Sequence, residues 1–358
     1  MIVTLHDTTA ADINAALIEN HREMGGTALV HTLITICDSD HYETALQDAV
    51  DAAREHPARV LMVVHTKGRG NTLDAEIQTA EATPGDVIVL RVCGKIAEHA
   101  DSVVLPLLLP DSPVIAWWPF NAPRDLAADS IGRLATRRIS DSGTAKDSRR
   151  ALELRAQHLS PGDSDLCWAR ITSWRALAAA ALDQHPSQVH SIRVEADPTN
   201  GPTSLLTAWL ALKLGVPVQR DDVKGPGGII ALALSTAAGD IEIRRTDRRS
   251  AVYRIPGEPA RGVALDRRSI AEVMAEELRR LDPDPVQAEV MAALHRGVGQ
   301  PGTSTESGTK KTTESGTRNT TGTTSTAPKS PAGKSNPASK SNPTGKSNPT
   351  GKSKEKAR

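Results

Sequence analysis

The sequence predicts an α/β protein: two mixed α/β domains followed by a disordered low-complexity tail. Three observations carry this. In the first half, nearly continuous apolar runs such as RVLMVVH (Arg59 to His65) alternate with helical patterns, as buried parallel strands joined by helices do. The second half places three short strand patterns in succession, separated by polar turns, which suits antiparallel pairing. From Gly299 onward the residues are nearly all Gly, Ser, Thr, Pro, Asn and Lys, with KSNP recurring near the end. Such a composition cannot bury enough apolar surface to offset chain entropy. The expected organisation is an N-terminal α/β domain over 1–160, a C-terminal α/β domain over 161–298, and the tail over 299–358. The break falls at Ser160-Pro161-Gly162-Asp163.

In order, Thr8 or Thr9 can cap a helix with Asp12 in its first turn, and Ile13, Ala16, Leu17 and Asn20 follow at helical spacing. Gly25 and Gly26 stop it. Ala28 to Cys37 is β-branched and reads as a strand. Asp38 or Ser39 then caps a helix over Tyr42 to Glu55, whose apolar face is Ala45, Ala49, Ala52 and Ala53. Strand, helix and the next strand (Arg59 to His65) form a right-handed βαβ unit. Leu73 to Ala82 alternates in part, as an antiparallel strand does. Pro84-Gly85-Asp86 turns the chain into an apolar strand, Val87 to Cys93, and Lys95 to Val104 is helical.

Between Val103 and Trp118, 11 of 16 residues are apolar. A membrane helix needs about 20, and Pro106, Pro110 and Pro113 break this run. It reads instead as a buried helix end, a turn from Leu109 to Pro113, and a strand from Val114 to Trp118 buried on both faces. A short helix over Asp129 to Leu134 leads into Ala135 to Ser142, and Ala145 to Gln157 is a charged helix. In the second half, Asp165 to Asp183 is the strongest helical pattern, with Leu166, Ile171, Trp174, Leu177, Ala178 and Ala181 largely on one face. A strand over Val189 to Glu195 and a helix over Pro202 to Leu214 follow. Ile229 to Ser235, Ile241 to Arg245 and Val252 to Ile255 are the three late strands. Helices over Arg267 to Leu281 and Val286 to His295 close the folded part.

Zero net charge hides an asymmetry, because the tail carries 11 basic and 3 acidic residues and the remainder balances it with a net of −8. An acidic body argues against specific nucleic-acid binding. Cys37, Cys93 and Cys167 are odd in number, far apart and in apolar contexts, so they read as small buried hydrophobes. The N-terminus lacks a basic segment followed by an apolar one, so no targeting or spanning segment is visible and a cytoplasmic location is expected.

Local motifs for catalysis are missing: there is no HExxH, GxSxG, GxGxxG or GxxxxGK[ST]. No enzyme activity, metal or cofactor is therefore expected. His65, Lys67 and Arg69 follow an apolar strand, where ligands of open α/β sheets bind. They are a candidate anion site, or else a basic surface turn. Lys224-Gly225-Pro226-Gly227-Gly228 lacks a following helix and reads as a connection. Arg137, Arg138 and Asp141 form a compact charged cluster that serves a partner, an anionic ligand, or the tie between its own segment and the domain body. Trp117 and Trp118 are adjacent on a strand and point to opposite faces. One of them is the expected partner contact, because Pro119-Phe120-Asn121 continues an apolar patch past the strand end.

Several long strings resemble the OpcA family, the glucose-6-phosphate dehydrogenase assembly proteins. They are HPARVLMVV (His56 to Val64), EHADSVVLPLLLPDSPVIAWWP (Glu98 to Pro119) and DSIGRLATRRISDS (Asp129 to Ser142). CWARITSWRALAAAALD (Cys167 to Asp183) and SLLTAWLALKLG (Ser204 to Gly215) continue the match. The resemblance implies a non-catalytic activator that binds glucose-6-phosphate dehydrogenase and favours its active oligomer. Redox control through cysteines, associated with cyanobacterial relatives, is not carried over to Cys37, Cys93 or Cys167, because no motif here matches those cysteines to them. The alternative is a sugar-phosphate or nucleotide sensor with its anion site near His65.

Overall fold

The computed structural model describes residues 2–24, 29–79, 85–224 and 227–299. The expected tail beyond Gly299, the Gly25-Gly26 stop and Gly225-Pro226 lie outside the described residues. The fold is mixed α/β, built on two sheets.

The first sheet begins with β1 (Ile2–Leu5), and α1 (Ala10–Met24) follows. Thr9 Oγ1 donates to Asp12 Oδ2 at 2.7 Å and accepts from the Asp12 N–H at 3.3 Å, which satisfies a free amide of the first turn. Next come β2 (His31–Asp38), α2 (Tyr42–Glu55), β3 (Ala58–His65), β4 (Leu73–Gln78) and β5 (Val87–Val92). The short helices α3 (Lys95–Glu98) and α4 (Ala100–Val104) run into a 3-10 turn that carries Pro106, as the prolines require. Then β6 (Val114–Trp118) and β7 (Arg137–Ser140) are laid down. After α5 (Ser148–Gln157), β8 (Asp163–Asp165) completes the sheet in the order β1-β4-β5-β3-β2-β6-β7-β8. From β5 to β8 the strands are parallel, while β4 and β1 are antiparallel at one edge.

Both faces of this sheet are covered, which is why its central strands are buried almost end to end and mostly apolar. Ile34, Leu61 and Trp118 pack toward Ile13 and Leu17 of α1. Leu33, Met62 and Trp117 pack on the opposite face with the alanines of α2. That second face is also covered by Val273, Met274 and Leu278 from a helix near the end of the chain.

In the second sheet, α6 (Thr172–Gln184), β9 (Val189–Ala196), α7 (Gly201–Leu214) and β10 (Val218–Asp222) precede the antiparallel run β11 (Ile229–Thr236), β12 (Gly239–Arg245), β13 (Ser250–Arg254) and β14 (Arg261–Ala264). The order is β10-β9-β11-β12-β13-β14, and only β10–β9 is parallel. Gly215 ends α7 at φ 66°, the left-handed conformation that glycine adopts without steric cost. Then α8 (Ile270–Leu278) and α9 (Pro285–His295) close the chain. One sheet face packs on α6, α7 and α9, with Leu152 and Ala156 of α5. The other carries charge pairs such as Arg244 with Glu195 at 2.7 Å.

The strong helical pattern from Asp165 begins as a helix only at Thr172, after a 3-10 turn over Ala169–Ile171. Asp165 is drawn into β8 instead, where it accepts hydrogen bonds from Ser140 Oγ and Ser142 Oγ, each at 2.7 Å. The short edge strands β1, β10 and β14 have no expectation behind them, because edge strands such as VQRDD keep polar residues and lack a buried face to pattern.

Candidate functional site

Strands β2, β3 and β6 end side by side at Asp38, His65 and Trp118. The chain leaves β2 for β3 on one side and reaches β6 on the other, so this is a switch point of the parallel sheet, where a crevice opens. A cavity of about 270 Å³ lies there, lined by Cys37, Asp38, His65, Trp118, Phe120 and Asn121 among others. Asp38 Oδ1 lies 2.6 Å from His41 Nδ1, and Asn121 Nδ2 donates to Oδ2 at 3.2 Å. Burial works to raise the Asp38 carboxyl, but these contacts outweigh it and hold the group below its ordinary range. His41 stacks on Phe120 with ring centroids 4.3 Å apart. Burial pushes His65 down, partly opposed by Asp129 and Asp38, so its imidazole is neutral at pH 7. Burial, with Asp38 beside it, pushes the Cys37 thiol up to about 12, which keeps it protonated.

The structure does not bring His65, Lys67 and Arg69 together. His65 faces the crevice between two carboxylates. Lys67 is 87% exposed and pairs with Asp40 at 3.2 Å, and Arg69 is exposed on the same connection. Carboxylates at the crevice repel an anion, so the physical case for one beside His65 is poor.

Trp117 is fully buried against the α2 face, with its indole N–H unbonded among the described residues. Trp118 is buried on the opposite face and reaches space only as part of the crevice lining. Neither indole forms an exposed patch.

Arg137, Arg138 and Asp141 are also buried, and all three are engaged inside the molecule. Arg137 pairs with Glu277 at the end of α8 and donates to the carbonyls of Arg280 at 2.8 Å and Asp282 at 2.9 Å. Arg138 pairs with Asp163 of β8 at 2.5 Å and donates to the Ala135 carbonyl. Asp141 accepts a two-pronged contact from Arg170 at 2.6 and 2.7 Å. Asp141, Asp165 and Cys167 bring ligand-type atoms within 4.8 Å of one another. Arg170 and the Ser140 and Ser142 hydroxyls already take up those carboxylates, which ties the group to the neighbouring segments.

A second concavity, of about 520 Å³, lies beside the second sheet and is rich in arginine: Arg170, Arg245, Arg248, Arg267 and Arg268. Sequence reasoning missed it. The available signal was a four-residue string used twice, Asp247-Arg248-Arg249-Ser250 and Asp266-Arg267-Arg268-Ser269. The two copies pair in space, with Leu265 N–H donating to the Arg249 carbonyl at 2.7 Å and Arg267 N–H to the Arg248 carbonyl at 3.0 Å.

Two sheets joined by the buried ion pairs Arg137–Glu277 and Arg170–Asp141 define the class: a mixed α/β protein. Two family models match successive parts of the chain. Residues 49–157 match the N-terminal domain of the glucose-6-phosphate dehydrogenase subunit family, and residues 161–291 match the C-terminal domain of that same family. The chain belongs to the OpcA family of glucose-6-phosphate dehydrogenase assembly proteins. No curated protein matches it. Among solved structures, an oxidoreductase from Sinorhizobium meliloti is similar at 10% identity and TM-score 0.43, over 75% of this chain and 95% of that one. An NAD binding oxidoreductase from Klebsiella pneumoniae is similar at 10% identity and TM-score 0.41, over the same 75% and 95%. Likenesses this distant say nothing about chemistry. No helix among the described residues is long and apolar enough to cross a membrane.

Proposed function

We propose that this chain binds glucose-6-phosphate dehydrogenase and favours its active oligomer, without catalysing a reaction itself. The observation that carries this reading is the pair of family models, which name that enzyme and together match residues 49–157 and 161–291. The interior supports it. The charged residues of the RRISD string are spent on internal ties, so their part is to hold a frame rather than to turn over a substrate. Trp117 and Trp118 belong to the same frame, supporting the strand ends from within.

The mechanism is differential binding. A partner that holds the active assembly more tightly than the inactive one shifts the population toward it. A shift from 1:99 to 99:1 takes about 5.5 kcal/mol of difference, which an interface of roughly 1,600 Å² with good anchors can supply. The test uses both purified proteins. Co-sedimentation, with a rise in dehydrogenase rate or a change in KM, is expected. Independent sedimentation with unchanged kinetics would refute the reading.

A further inference from the structure

The arginine-rich concavity has features that the partner role does not use. Its walls come from segments far apart in sequence: Trp174 of α6, Pro202 at the start of α7, Arg245 at the end of β12, and the two paired strings that carry Arg248 and Arg267. Arg245 is half-buried 5.6 Å over the Trp174 ring. Its guanidinium is held by main-chain carbonyls, those of Leu265 at 2.5 Å and Arg248 at 3.2 Å. Arg267 donates to the Gly227 carbonyl. Among the described residues, no carboxylate comes within ion-pair distance of Arg245 or Arg248.

The nearby acids are largely committed elsewhere. Asp141 and Glu276 take up Arg170 and Arg268, and Glu272 closes the capping box with Ser269. Asp247 accepts the N–H groups of Arg249 and Ser250, so Asp266 is the remaining carboxylate on the lining. Burial lowers both Arg245 and Arg267 from the ordinary arginine range. The neighbouring guanidinium adds to this, Arg267 acting on Arg245 and Arg248 on Arg267, while Asp247 and Asp266 partly offset it at Arg245. A guanidinium held by carbonyls with like charges beside it, as Arg245 is, is relieved by a multivalent anion.

We propose that this groove binds a phosphate ester of sugar or mononucleotide size, its phosphate held by Arg245, Arg248 and Arg267 and its organic part against Trp174 and Pro202. Guanidinium forks match phosphate oxygens in pairs. The volume lies within the range of small-ligand sites, about 300–1,000 Å³.

The test takes the full-length chain at low ionic strength and titrates inorganic phosphate, glucose 6-phosphate, ATP and sulfate separately. Thermal midpoint and intrinsic tryptophan fluorescence are the readouts. Saturable stabilisation is expected, tighter for an ester than for inorganic phosphate, and weakening with added salt. Whichever of glucose 6-phosphate and ATP binds more tightly identifies the organic part. Arg248 is exposed, so Arg248→Glu should fold normally and weaken binding by about tenfold or more. Arg267→Gln should act in the same direction. A flat response to all four probes, equal affinity for sulfate and the esters, or unchanged binding in both variants would overturn the proposal. So would a groove that ignores phosphates while Arg248→Glu abolishes dehydrogenase binding, which would make it a protein-docking surface. Co-sedimentation reads the partner role separately, so either idea can fail alone.

Discussion

Asp48 and His31 are held where their charged forms are poorly solvated. Burial raises the Asp48 carboxyl to about 6, with repulsion from Asp51 and Asp141 adding to it and Arg170 opposing. Its Oδ2 has no hydrogen-bond partner among the described residues. A carboxyl raised above its unfolded value binds its proton more tightly when folded, so stability falls as pH rises from about 4 to about 6. The imidazole of His31 has the opposite sign. Burial, with His56, lowers it to about 4, so the unfolded chain binds the extra proton and stability falls as pH drops from 6.5 toward 4. Asp48→Asn should therefore raise the thermal midpoint at pH 8 and leave it nearly unchanged at pH 4. His31→Gln should remove part of the acid loss. Melting curves of the three proteins across pH 4–8 check both, and parallel curves would contradict the assignment.

At the scale of elements, β7 is the joint. Its Arg137 reaches across to Glu277 and to the carbonyls after α8, and Arg138 fastens β8. Removing one member of a buried pair strands the other charge, so Arg137→Met should cost about 3–5 kcal/mol. Arg137→Met combined with Glu277→Leu should recover much of that, because an apolar pair carries no desolvation penalty. Urea denaturation measures both. Equal loss in the single and double variants would show that the carbonyl contacts, not the ion pair, carry the joint. The RRISD string was visible in the sequence as a charged cluster, but its inward direction was not. Its partners lie far along the chain, and a short string does not say which distant segment returns to it.

For the whole molecule, the two sheets share elements across residue 160. Short β8, with Leu166 and Ala169 after it, belongs to the first sheet and its core, as do Val273, Met274 and Leu278 of α8. In exchange, α5 supplies Leu152 and Ala156 to the second core. Residues 1–160 expressed alone should lose the α2 face cover and fold poorly, while 1–299 should melt in one cooperative transition. Circular dichroism and calorimetry of the two fragments decide this. A native-like, cooperative 1–160 would establish an independent N-terminal domain.

Local pattern sufficed wherever the signal is a single face or run. The strand RVLMVVH, the alanine face of α2, the cap at Thr9 and the glycine stop of α7 all follow from period and chemistry within a few residues. The order of strands, the burial of Trp117 and Trp118, and the dispersal of His65, Lys67 and Arg69 were decided only by tertiary structure. So was the gathering of Arg245, Arg248 and Arg267 into one groove, because each depends on which distant segment packs against which. The sequence alone determined the family and the longer elements with a clear apolar pattern. Long-range packing, which balances burial against charge desolvation across the whole chain, decided which residues are interior ties and which face an open site.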